Sequence, residues 1–498
     1  MVTTNIIHIS DAINSRLDPH QFNQERMIML KRIYASRQWC KLKDIVINVK
    51  TTTQTLSDKD IYIGLENITS NTGEYFPTEE KQSISSAAVF KRGDILFPKL
   101  RPYLNKVYRA EFDGKCSTEF HIFKAKGINP DFLTIILRSN IVLAQTKHLM
   151  TGNTLPRLQT TDIENLVLPI IQHEEQERII RIYKKGLNDK FGNDKKAKLL
   201  LGDIDSFILK TLGVILPSRD TYAKKNKVTL SQLIGNRYDP YYHNEYFEEA
   251  FKHLKETSNY NLVRLRDISV LITSGITPKS GGDDYTDSEH GIAFIRSGNI
   301  DIMGEVDFDN LLYIKHEVHD TRMKSSKVQE GDIMIAIVGA TIGQVGIFHS
   351  SREANINQAI ALVRLKDGYN PEYIKEVIKS SIGQLNLDRL KRPVARANIN
   401  LEEISTMLIP VPEIEVQDEI VKSIVSIRQQ AKRLQKEGVE LLEKTKQEIE
   451  NIITQDIHGN MPLKAPDRFP DILSVYIIYK GDFPCLISGK ELKNSYRM

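Results

Sequence analysis

Basic, aromatic and amide side chains gather in one segment of the first half of the chain. The sequence FPKLRPYLNK at residues 97–106 contains Lys99, Arg101, Tyr103, Asn105 and Lys106, and residues 91–109 hold six Lys or Arg and one Asp. Arginine matches the O6 and N7 atoms of guanine, asparagine matches adenine, and lysine neutralises phosphate. These five side chains are therefore predicted to contact the grooves or the backbone of DNA. The alternative is a solvated loop surface without a ligand.

Two later segments have similar chemistry. TGNTLPR at residues 151–157 ends in Arg157, and RLKRPVARAN at residues 389–398 contains four Arg or Lys and no acidic residue. In protein–DNA interfaces such cations contact phosphate more often than bases. The predicted DNA-facing side chains of the second segment are Arg389, Lys391, Arg392, Arg396 and Asn398.

The sequence lacks patterns of catalysis or nucleotide binding. The loop GATIGQVG at residues 339–346 offers Thr341 and Gln344 for DNA contacts, but no Lys-Ser/Thr pair follows, which excludes a P-loop. The twelve histidines form no H-x-x-x-H or H-E-x-x-H pattern, so a metal hydrolase has no support. DPYY at residues 239–242 lacks the second proline of the amino-methyltransferase motif and has no nearby Gly-rich cofactor loop. A binding protein is therefore favoured over an enzyme.

Segments of the first half recur in the second half in the same order, and the order predicts an internal repeat. The matched pairs are RLDPHQFN at 16–23 with RYDPYYHN at 237–244, KLKDI at 41–45 with RLRDI at 264–268, FKRGDILF at 90–97 with VQEGDIMI at 328–335, GINPDF at 127–132 with GYNPEY at 368–373, and IENLVLP at 163–169 with ISTMLIP at 404–410. The ends of the unit match and its interior differs. This pattern predicts one scaffold that presents two different surfaces.

Hydrophobic periodicity changes within each repeat. Residues 39–170 and 262–412 show short apolar runs between Gly, Pro, Asn and Asp, which is typical of mixed or mostly β structure with irregular loops. KLKDI and RLRDI are strand-like segments at the start of these regions. One helix is expected after each Asn-Pro, at residues 132–138 and 373–379. From Glu415 and from Glu174 the apolar residues follow a helical spacing, which predicts a long helix with a coiled-coil stripe in each half. We expect the first of these helices to be interrupted at residues 186–193.

Length and composition limit the class of protein. The chain has 498 residues, and Lys+Arg 68 against Asp+Glu 64 gives a net charge of +4, so any DNA-binding charge must be local. The three cysteines, Cys40, Cys116 and Cys485, form no C-x-x-C pattern, which excludes a zinc ribbon and a disulfide framework. Neither a signal peptide nor an apolar run of about 18 residues is found, and a cytoplasmic protein is expected.

The Arg-x-Asp-Pro leaders, the closing run at residues 404–420 and the helix after each variable region resemble the specificity (S) subunit of type I restriction–modification systems. The loop at 339–346 and the stretches SGITP at 274–278 and FIRSG at 294–298 are similar to the target recognition domains of that family. The resemblance covers roughly residues 1–457. The segment 458–498 lies outside the repeat and has no assigned role.

This resemblance implies an α+β fold in which two α/β target recognition domains are joined by two long antiparallel coiled-coil helices with an internal pseudo-two-fold repeat. Each domain would read one half of a bipartite, asymmetric site on double-stranded DNA. The helices would dock two methyltransferase subunits, and restriction/translocase subunits would complete the phage-defence complex. S-adenosylmethionine would bind to the methyltransferase, so this chain would need no cofactor, metal or catalytic residue.

The implied organisation has seven parts. They are a leader at 1–38, target recognition domain 1 at 39–172, a central helical spacer at 173–220, a second leader at 221–261, target recognition domain 2 at 262–412, a distal helical spacer at 413–457 and a C-terminal extension at 458–498. Two alternatives remain open at this point. One is a self-contained DNA-modifying enzyme with an unrecognised cofactor motif, and the other is a coiled-coil adaptor without a DNA role.

Overall fold

A computed structural model of the chain describes residues 4–7, 23–55, 57, 60–77, 86–150, 156–219, 228–233, 237–279, 281–392, 397–454, 475–480 and 483–488. The chain forms two compact units. Unit 1 comprises residues 1–194 and 435–498, and unit 2 comprises residues 195–434. Among the described residues, no helix combines the length and apolar character required to cross a membrane.

Unit 1 is built from small, mostly antiparallel sheets and helices. Its strands are β1 (Thr4–Ile7), β2 (Trp39–Lys41), β3 (Val46–Val49), β4 (Thr52–Thr53), β5 (Tyr62–Ile63), β6 (Ala87–Phe90), β7 (Ile95–Pro98), β8 (Tyr108–Arg109), β9 (Gly114–Cys116), β10 (Phe120–Ala125) and β11 (Val167–Pro169), with β23 (Val475–Lys480) and β24 (Phe483–Ser488). The sheet orders are β3-β10-β7-β8, β4-β6-β9-β5, β11-β2 and β1-β23-β24, with β5 and β9 forming a parallel pair. Its helices are α1 (Gln24–Ser36), α2 (Leu42–Ile45), α3 (Pro130–Leu137), α4 (Asn140–Thr146) and α5 (Thr160–Glu164), followed by the start of α6 (His173–Leu212).

Side-chain alternation places the β3-β10-β7-β8 sheet between two cores. Ile95 and Phe97 pack with the helices, whereas Leu96 between them packs with the second four-stranded sheet. Successive side chains of a strand point to opposite faces, so one strand contributes to both cores. Unit 1 therefore has a helical layer, a central sheet and an outer sheet.

Unit 2 contains eleven described strands, and its outer sheet has five strands instead of the four in unit 1. The strands are β12 (Leu262–Arg264), β13 (Ser269–Ser274), β14 (Tyr285–Thr286), β15 (Ile292–Ile295), β16 (Leu312–Ile314), β17 (Lys327–Val328), β18 (Ile333–Ala336), β19 (Val345–Ile347), β20 (Ala354–Ile356), β21 (Ile360–Leu365) and β22 (Leu408–Pro410). The sheet orders are β13-β21-β18-β19, β14-β16-β15-β20-β17 and β12-β22. The helices are α7 (Leu230–Leu233), α8 (Glu245–Thr257), α9 (His316–Asp320), α10 (Pro371–Lys379), α11 (Ser381–Leu390) and α12 (Leu401–Ser405), with the start of α13 (Ile414–Thr454).

The central sheet of unit 2 also separates two cores. Ile333 and Ile335 pack with the helices, and Met334 packs with the outer sheet. Both chain segments that follow an Asn-Pro form helices, α3 and α10, which confirms the expected helices at residues 132–138 and 373–379. The two leader helices, α1 and α8, begin with the same cap, because Asn23 and Asn244 each accept a hydrogen bond from the backbone two residues later.

Each unit also contains part of the two long helices. In unit 1, Tyr183 of α6 shares a core with Leu442 and Ile449 of α13, and in unit 2, Ile208 shares a core with Ile424. The expected interruption at residues 186–193 is wrong, since α6 is continuous from His173 to Leu212. A Cβ at position 186 would lie 2.4 Å from Thr445 Oγ1, so Gly186 permits close helix contact instead of ending the helix.

The strand-like segments KLKDI and RLRDI also need correction. Each strand, β2 or β12, ends at the first residue of its segment, and a helical turn follows, which is α2 in unit 1 and a 3-10 turn at Leu265–Asp267 in unit 2. In both turns a buried leucine, Leu42 or Leu265, faces the core. The apolar residues had suggested strands because a single helical turn is too short to show helical periodicity.

Candidate nucleic-acid interface

The structure joins the two basic segments of unit 1. The backbone of Leu100 forms a β-bridge with Arg157. Arg101 N–H donates to the Pro156 carbonyl, and Leu158 N–H donates to the Lys99 carbonyl, each at 3.0 Å. The loop after β7 and the segment before α5 therefore form one continuous surface, although they are more than fifty residues apart in the sequence.

Unit 2 forms the same junction with different residues. Val338, after β18, forms a β-bridge with Asn398, before α12. Gly339 N–H donates to the Ala397 carbonyl, and Ile399 N–H donates to the Ile337 carbonyl, each at 3.0 Å. The two predicted segments of unit 2 thus meet at the position that corresponds to the junction in unit 1. We call these two surfaces the paired-loop sites, residues 99–106 with 156–158 in unit 1 and residues 337–344 with 397–399 in unit 2.

In unit 1, Arg101 and Tyr103 are the exposed members of the predicted set, and Tyr103 is 43% exposed. Lys99 is half-buried and donates to the Thr118 carbonyl at 2.7 Å, and burial lowers the pKa of its ammonium group. Lys106 donates to the Leu65 carbonyl at 2.9 Å. Backbone carbonyls therefore hold the ammonium groups of both lysines.

Asn105 needs a correction. Its side chain is only 5% exposed, and its amide donates to the Arg138 carbonyl at 2.8 Å and to Asn71 Oδ1 at 3.2 Å. An amide that is buried and hydrogen-bonded inside the protein is not presented to an adenine. The geometry gives Asn105 a structural role in holding the loop.

Arg157 forms a two-point pair with a carboxylate. Its Nε and Nη2 atoms lie 2.9 and 2.8 Å from the two oxygens of Glu119, and these hydrogen bonds raise the pKa of Arg157. The Arg157 side chain is 41% exposed. Its charge at the paired-loop site is therefore largely balanced by a neighbouring carboxylate.

The largest correction in unit 2 is Arg389. Its side chain is 16% exposed, and its guanidinium lies 4.4 Å from the ring centroid of Tyr242 and 5.1 Å from that of Phe251. It also forms an ion pair with Glu248. These contacts tie α11 to α8, so the expected DNA-facing position of Arg389 is replaced by an internal one.

The other predicted side chains of unit 2 are closer to the surface. Lys391 Nζ lies 3.7 Å from Asp388, and Arg392 donates to both oxygens of Glu403 at 3.0 and 2.9 Å. Asn398 is exposed, and Arg396 lies outside the described residues. Two of the three described cations in this segment, Arg389 and Arg392, therefore form close ion pairs.

The loop of unit 2 that corresponds to residues 99–106 is uncharged. Thr341 and Gln344 are both half-buried, and Thr341 Oγ1 donates to the Val338 carbonyl at 3.3 Å. The Gln344 Oε1 atom is buried without a hydrogen-bond partner. An amide oxygen in this state retains the capacity to accept a hydrogen bond, for which a bridging water is the fitting donor at a buried position.

Charge compensation by distant residues changes the electrostatics of unit 1. Lys91 pairs with Asp113 at 3.0 Å, and Arg109 pairs with Asp131. The excess of positive charge counted over residues 91–109 is therefore partly balanced by carboxylates further along the chain. The sequence could not show this, because these pairs form only when β7, β8 and α3 come together.

Lys50 is a basic residue that sequence reasoning missed. It is exposed at the end of β3, and the pairing of β3 with β10 places Val49 opposite Ile122. Burial, together with the charges of Lys99 and Lys50, lowers the pKa of His121 to about 3, so this histidine is neutral at physiological pH. Lys50 and Lys99 therefore both contribute positive charge around His121.

The described residues offer no group of three or more His, Cys, Asp or Glu side chains that is arranged to hold a metal ion. The buried Cys116 has a thiol whose pKa is raised to about 12 by burial, which makes it a poor nucleophile.

Residues 257–451 match the family described as Type I restriction modification DNA specificity domain. The chain is also 32% identical over 231 residues to the Type I restriction enzyme EcoBI specificity subunit of Escherichia coli, and 26% identical over 164 residues to the EcoDI specificity subunit of the same organism. The predicted resemblance to type I specificity subunits is confirmed.

These matches cover part of each protein. They span 44% and 32% of this chain and 47% and 36% of the two relatives, so the chain spans about half or less of the length of the curated relatives that it matches. A solved structure described as the type I R-M system covers 86% of this chain and 98% of its own, with 18% identity and a TM-score of 0.46. The HsdS subunit from Thermoanaerobacter tengcongensis covers 84% and 97%, with 18% identity and a TM-score of 0.38.

Proposed function

We propose that this chain is the sequence-specific DNA-recognition subunit of a type I restriction–modification complex. Each unit reads one half of a bipartite, asymmetric site on double-stranded DNA. The chain itself performs no catalytic step. The family match over residues 257–451 supports this role for the second half, and the internal repeat extends it to the first.

The observation that carries the proposal is the paired-loop site, which occurs at corresponding positions in both units. In each unit, a loop after the central strand β7 or β18 bonds to the segment before a short helix. The side chains differ, with Arg101 and Tyr103 in unit 1 and Gln344 and Asn398 in unit 2. A shared frame with different polar side chains is what two different half-sites require, because base edges specify sequence and phosphates only position the protein.

The long helices provide the remaining functions in this proposal. We assign α6 and α13 to the central and distal helical spacers, as an antiparallel coiled coil that docks two methyltransferase subunits. Those subunits bind S-adenosylmethionine, and restriction/translocase subunits join the full complex. The seven-part division of the chain and the pseudo-two-fold repeat belong to the same proposal. The equal strand order of the β3-β10-β7-β8 and β13-β21-β18-β19 sheets supports the repeat.

The structure narrows the set of residues that we expect to contact DNA. The exposed or half-exposed members of the paired-loop sites are Lys99, Arg101, Tyr103, Lys106, Arg157, Thr341, Gln344 and Asn398, and we add Lys50, Lys391 and Arg392 from outside these sites. Asn105 and Arg389 are assigned to the interior. We expect most cations in this group to contact phosphate.

Reconstituted methyl transfer tests the role of the chain. Purified chain, purified methyltransferase subunits and their mixture are each incubated with radiolabelled S-adenosylmethionine and unmethylated genomic DNA. Only the mixture should label the DNA, because the chain supplies recognition and its partner supplies chemistry. Methyl transfer by the chain alone would overturn the proposal in favour of a self-contained enzyme. A mobility-shift assay that shows no DNA binding by the mixture would leave only the adaptor alternative.

A further inference from the structure

An unusual turn forms the tip of the paired-loop site in unit 1. Pro102–Leu104 is a 3-10 turn, and the residues on either side of it, Arg101 and Asn105, adopt left-handed backbone conformations with φ of 48° and 52°. Residues other than glycine rarely adopt this conformation, and it persists only where the surrounding structure enforces it. Such residues concentrate at binding and catalytic sites.

The turn is fixed on both sides. Arg101 N–H donates to the Pro156 carbonyl, and the Asn105 carbonyl accepts from Asn71 N–H, each at 3.0 Å. The Asn105 amide adds its bond to the Arg138 carbonyl, and Pro102 is buried. The tip therefore cannot fold back onto the protein to cover its own apolar surface.

The fixed tip presents apolar side chains to solvent. Tyr103 is 43% exposed and Leu104 is 37% exposed, and the neighbouring Arg101 is exposed as well. Single exposed apolar residues are common on protein surfaces, but here an aromatic and an aliphatic residue stand next to a cation on a rigid turn. Lys99, two residues before Arg101, adds a further cation to the same loop.

The corresponding tip in unit 2 has a different composition. Its 3-10 turn is Gly339–Thr341, and the following Ile342 is half-buried. It carries no aromatic residue and no cation. The exposed Tyr-Leu pair is therefore a feature of unit 1 alone among the described paired-loop residues.

We infer that Tyr103 and Leu104 form a wedge that enters the base stack of the half-site bound by unit 1, while Arg101 holds the adjacent phosphate. This inference rests on the proposed DNA-recognition function. Apolar side chains that insert between base steps unstack them and kink the duplex, and a rigid, pre-positioned wedge loses little conformational freedom on binding. Unit 2 binds its half-site without insertion, so the DNA is deformed on one side only.

The test uses the complete complex of the chain with its methyltransferase subunits and a duplex that carries the methylation site mapped in cells. 2-Aminopurine is placed in turn at each position of the half-site bound by unit 1, except the methylated base, because the methyltransferase can itself extrude that base. Unstacking raises the fluorescence of this base analogue. We expect a rise at one step with the unsubstituted chain and with Tyr103→Phe.

Tyr103→Ala should abolish the rise and weaken binding roughly 5- to 100-fold, the range for loss of one base–aromatic stack. The matched control is Tyr34→Ala, an exposed tyrosine of α1 at 48% exposure, which should change neither quantity. Specific binding without any fluorescence rise would overturn the wedge and leave the recognition function intact. Loss of the rise in Tyr103→Phe would also overturn it, since a hydroxyl contact would then be responsible. Failure of the unsubstituted complex to bind the site specifically would refute the proposed function itself.

Discussion

Replacing Arg428 by methionine should loosen the contact between α10 and α13 in unit 2. Arg428 donates to both oxygens of Glu376 at 2.8 and 2.7 Å, and the Glu376 side chain is only 3% exposed. Removing one partner of a buried ion pair costs about 3–5 kcal/mol. Lys375 Nζ remains 3.2 Å from Glu376 and shares its charge, so we expect about 3 kcal/mol, the lower end of that range.

Hydrogen exchange measured by mass spectrometry is the appropriate assay, because unfolding of a chain with two units is not a two-state process. A loss of about 3 kcal/mol corresponds to amide exchange that is roughly 100-fold faster in peptides from α10 and from residues 414–434. Peptides from unit 1 provide the internal control. Lys436→Met removes the exposed pair with Glu440 and should cost less than about 1 kcal/mol.

A double variant separates charge from packing. Glu376→Leu with Arg428→Met replaces both charges by apolar groups, and Lys375 keeps its pair with Glu372. Exchange in the double variant should return close to that of the unsubstituted chain, because apolar replacements of a buried pair are often neutral. Equal exchange rates in Arg428→Met and Lys436→Met would refute the reasoning.

The same pair predicts a pH dependence. Burial alone would raise the pKa of Glu376, but the hydrogen bond from Arg428 and the charge of Lys375 outweigh burial and lower it below its ordinary value of 4.5. A carboxyl group with a lowered pKa in the folded state stabilises the fold above its ordinary pKa, and this contribution is lost as the pH falls through the folded pKa. The protection of α10 should therefore be constant from pH 7 to about pH 5 and should decline below it.

Two further pairs of variants test the helix contact and the site. Gly186→Ala should destabilise unit 1, because its methyl group would meet Thr445. Gly192→Ala has nothing within 4 Å of the new methyl group and should stabilise unit 1 by about 0.5–1 kcal/mol. Hydrogen exchange of α6 measures both effects. Arg389→Ala should lower the melting temperature of unit 2. Arg101→Ala should leave the melting temperature of unit 1 unchanged, but it should make the slope of log binding constant against log salt concentration shallower by about one, the contribution of one phosphate contact. A changed salt slope with Arg389→Ala alone, or a lower melting temperature with Arg101→Ala alone, would contradict the placement of these two arginines.

The sequence predicted secondary structure best for elements that are long or that begin at a clear capping residue. The helices after the two Asn-Pro pairs and the long helices α6 and α13 follow from capping and periodicity. Gly186 was misread because helix propensity is a local quantity, and the reason for a glycine there is Thr445, more than 250 residues away. Short turns such as Leu42–Ile45 were misread because their apolar residues fit a strand equally well.

The candidate site was predicted in part. Sequence reasoning found both loops of each paired-loop site, but the bonds that join Leu100 to Arg157 and Val338 to Asn398 are long-range. Counting Lys and Arg within a segment overestimated the positive charge that is free to meet DNA. The reason is related, since Glu119 and Glu248 neutralise arginines that are distant in the sequence. A window of residues shows how many cations are present. It does not show which of them have carboxylate partners in the fold.

Sequencing of methylated bases in cells that express the chain with its cognate methyltransferase subunits tests the central claim most directly. We predict an asymmetric motif of two specified half-sites separated by unspecified bases. Gln344→Ala should relax one half-site only, because its unpaired amide oxygen lies in the paired-loop site of unit 2. Arg101→Ala should leave that half-site unchanged. A continuous motif, or a change in both half-sites with either variant, would contradict the account.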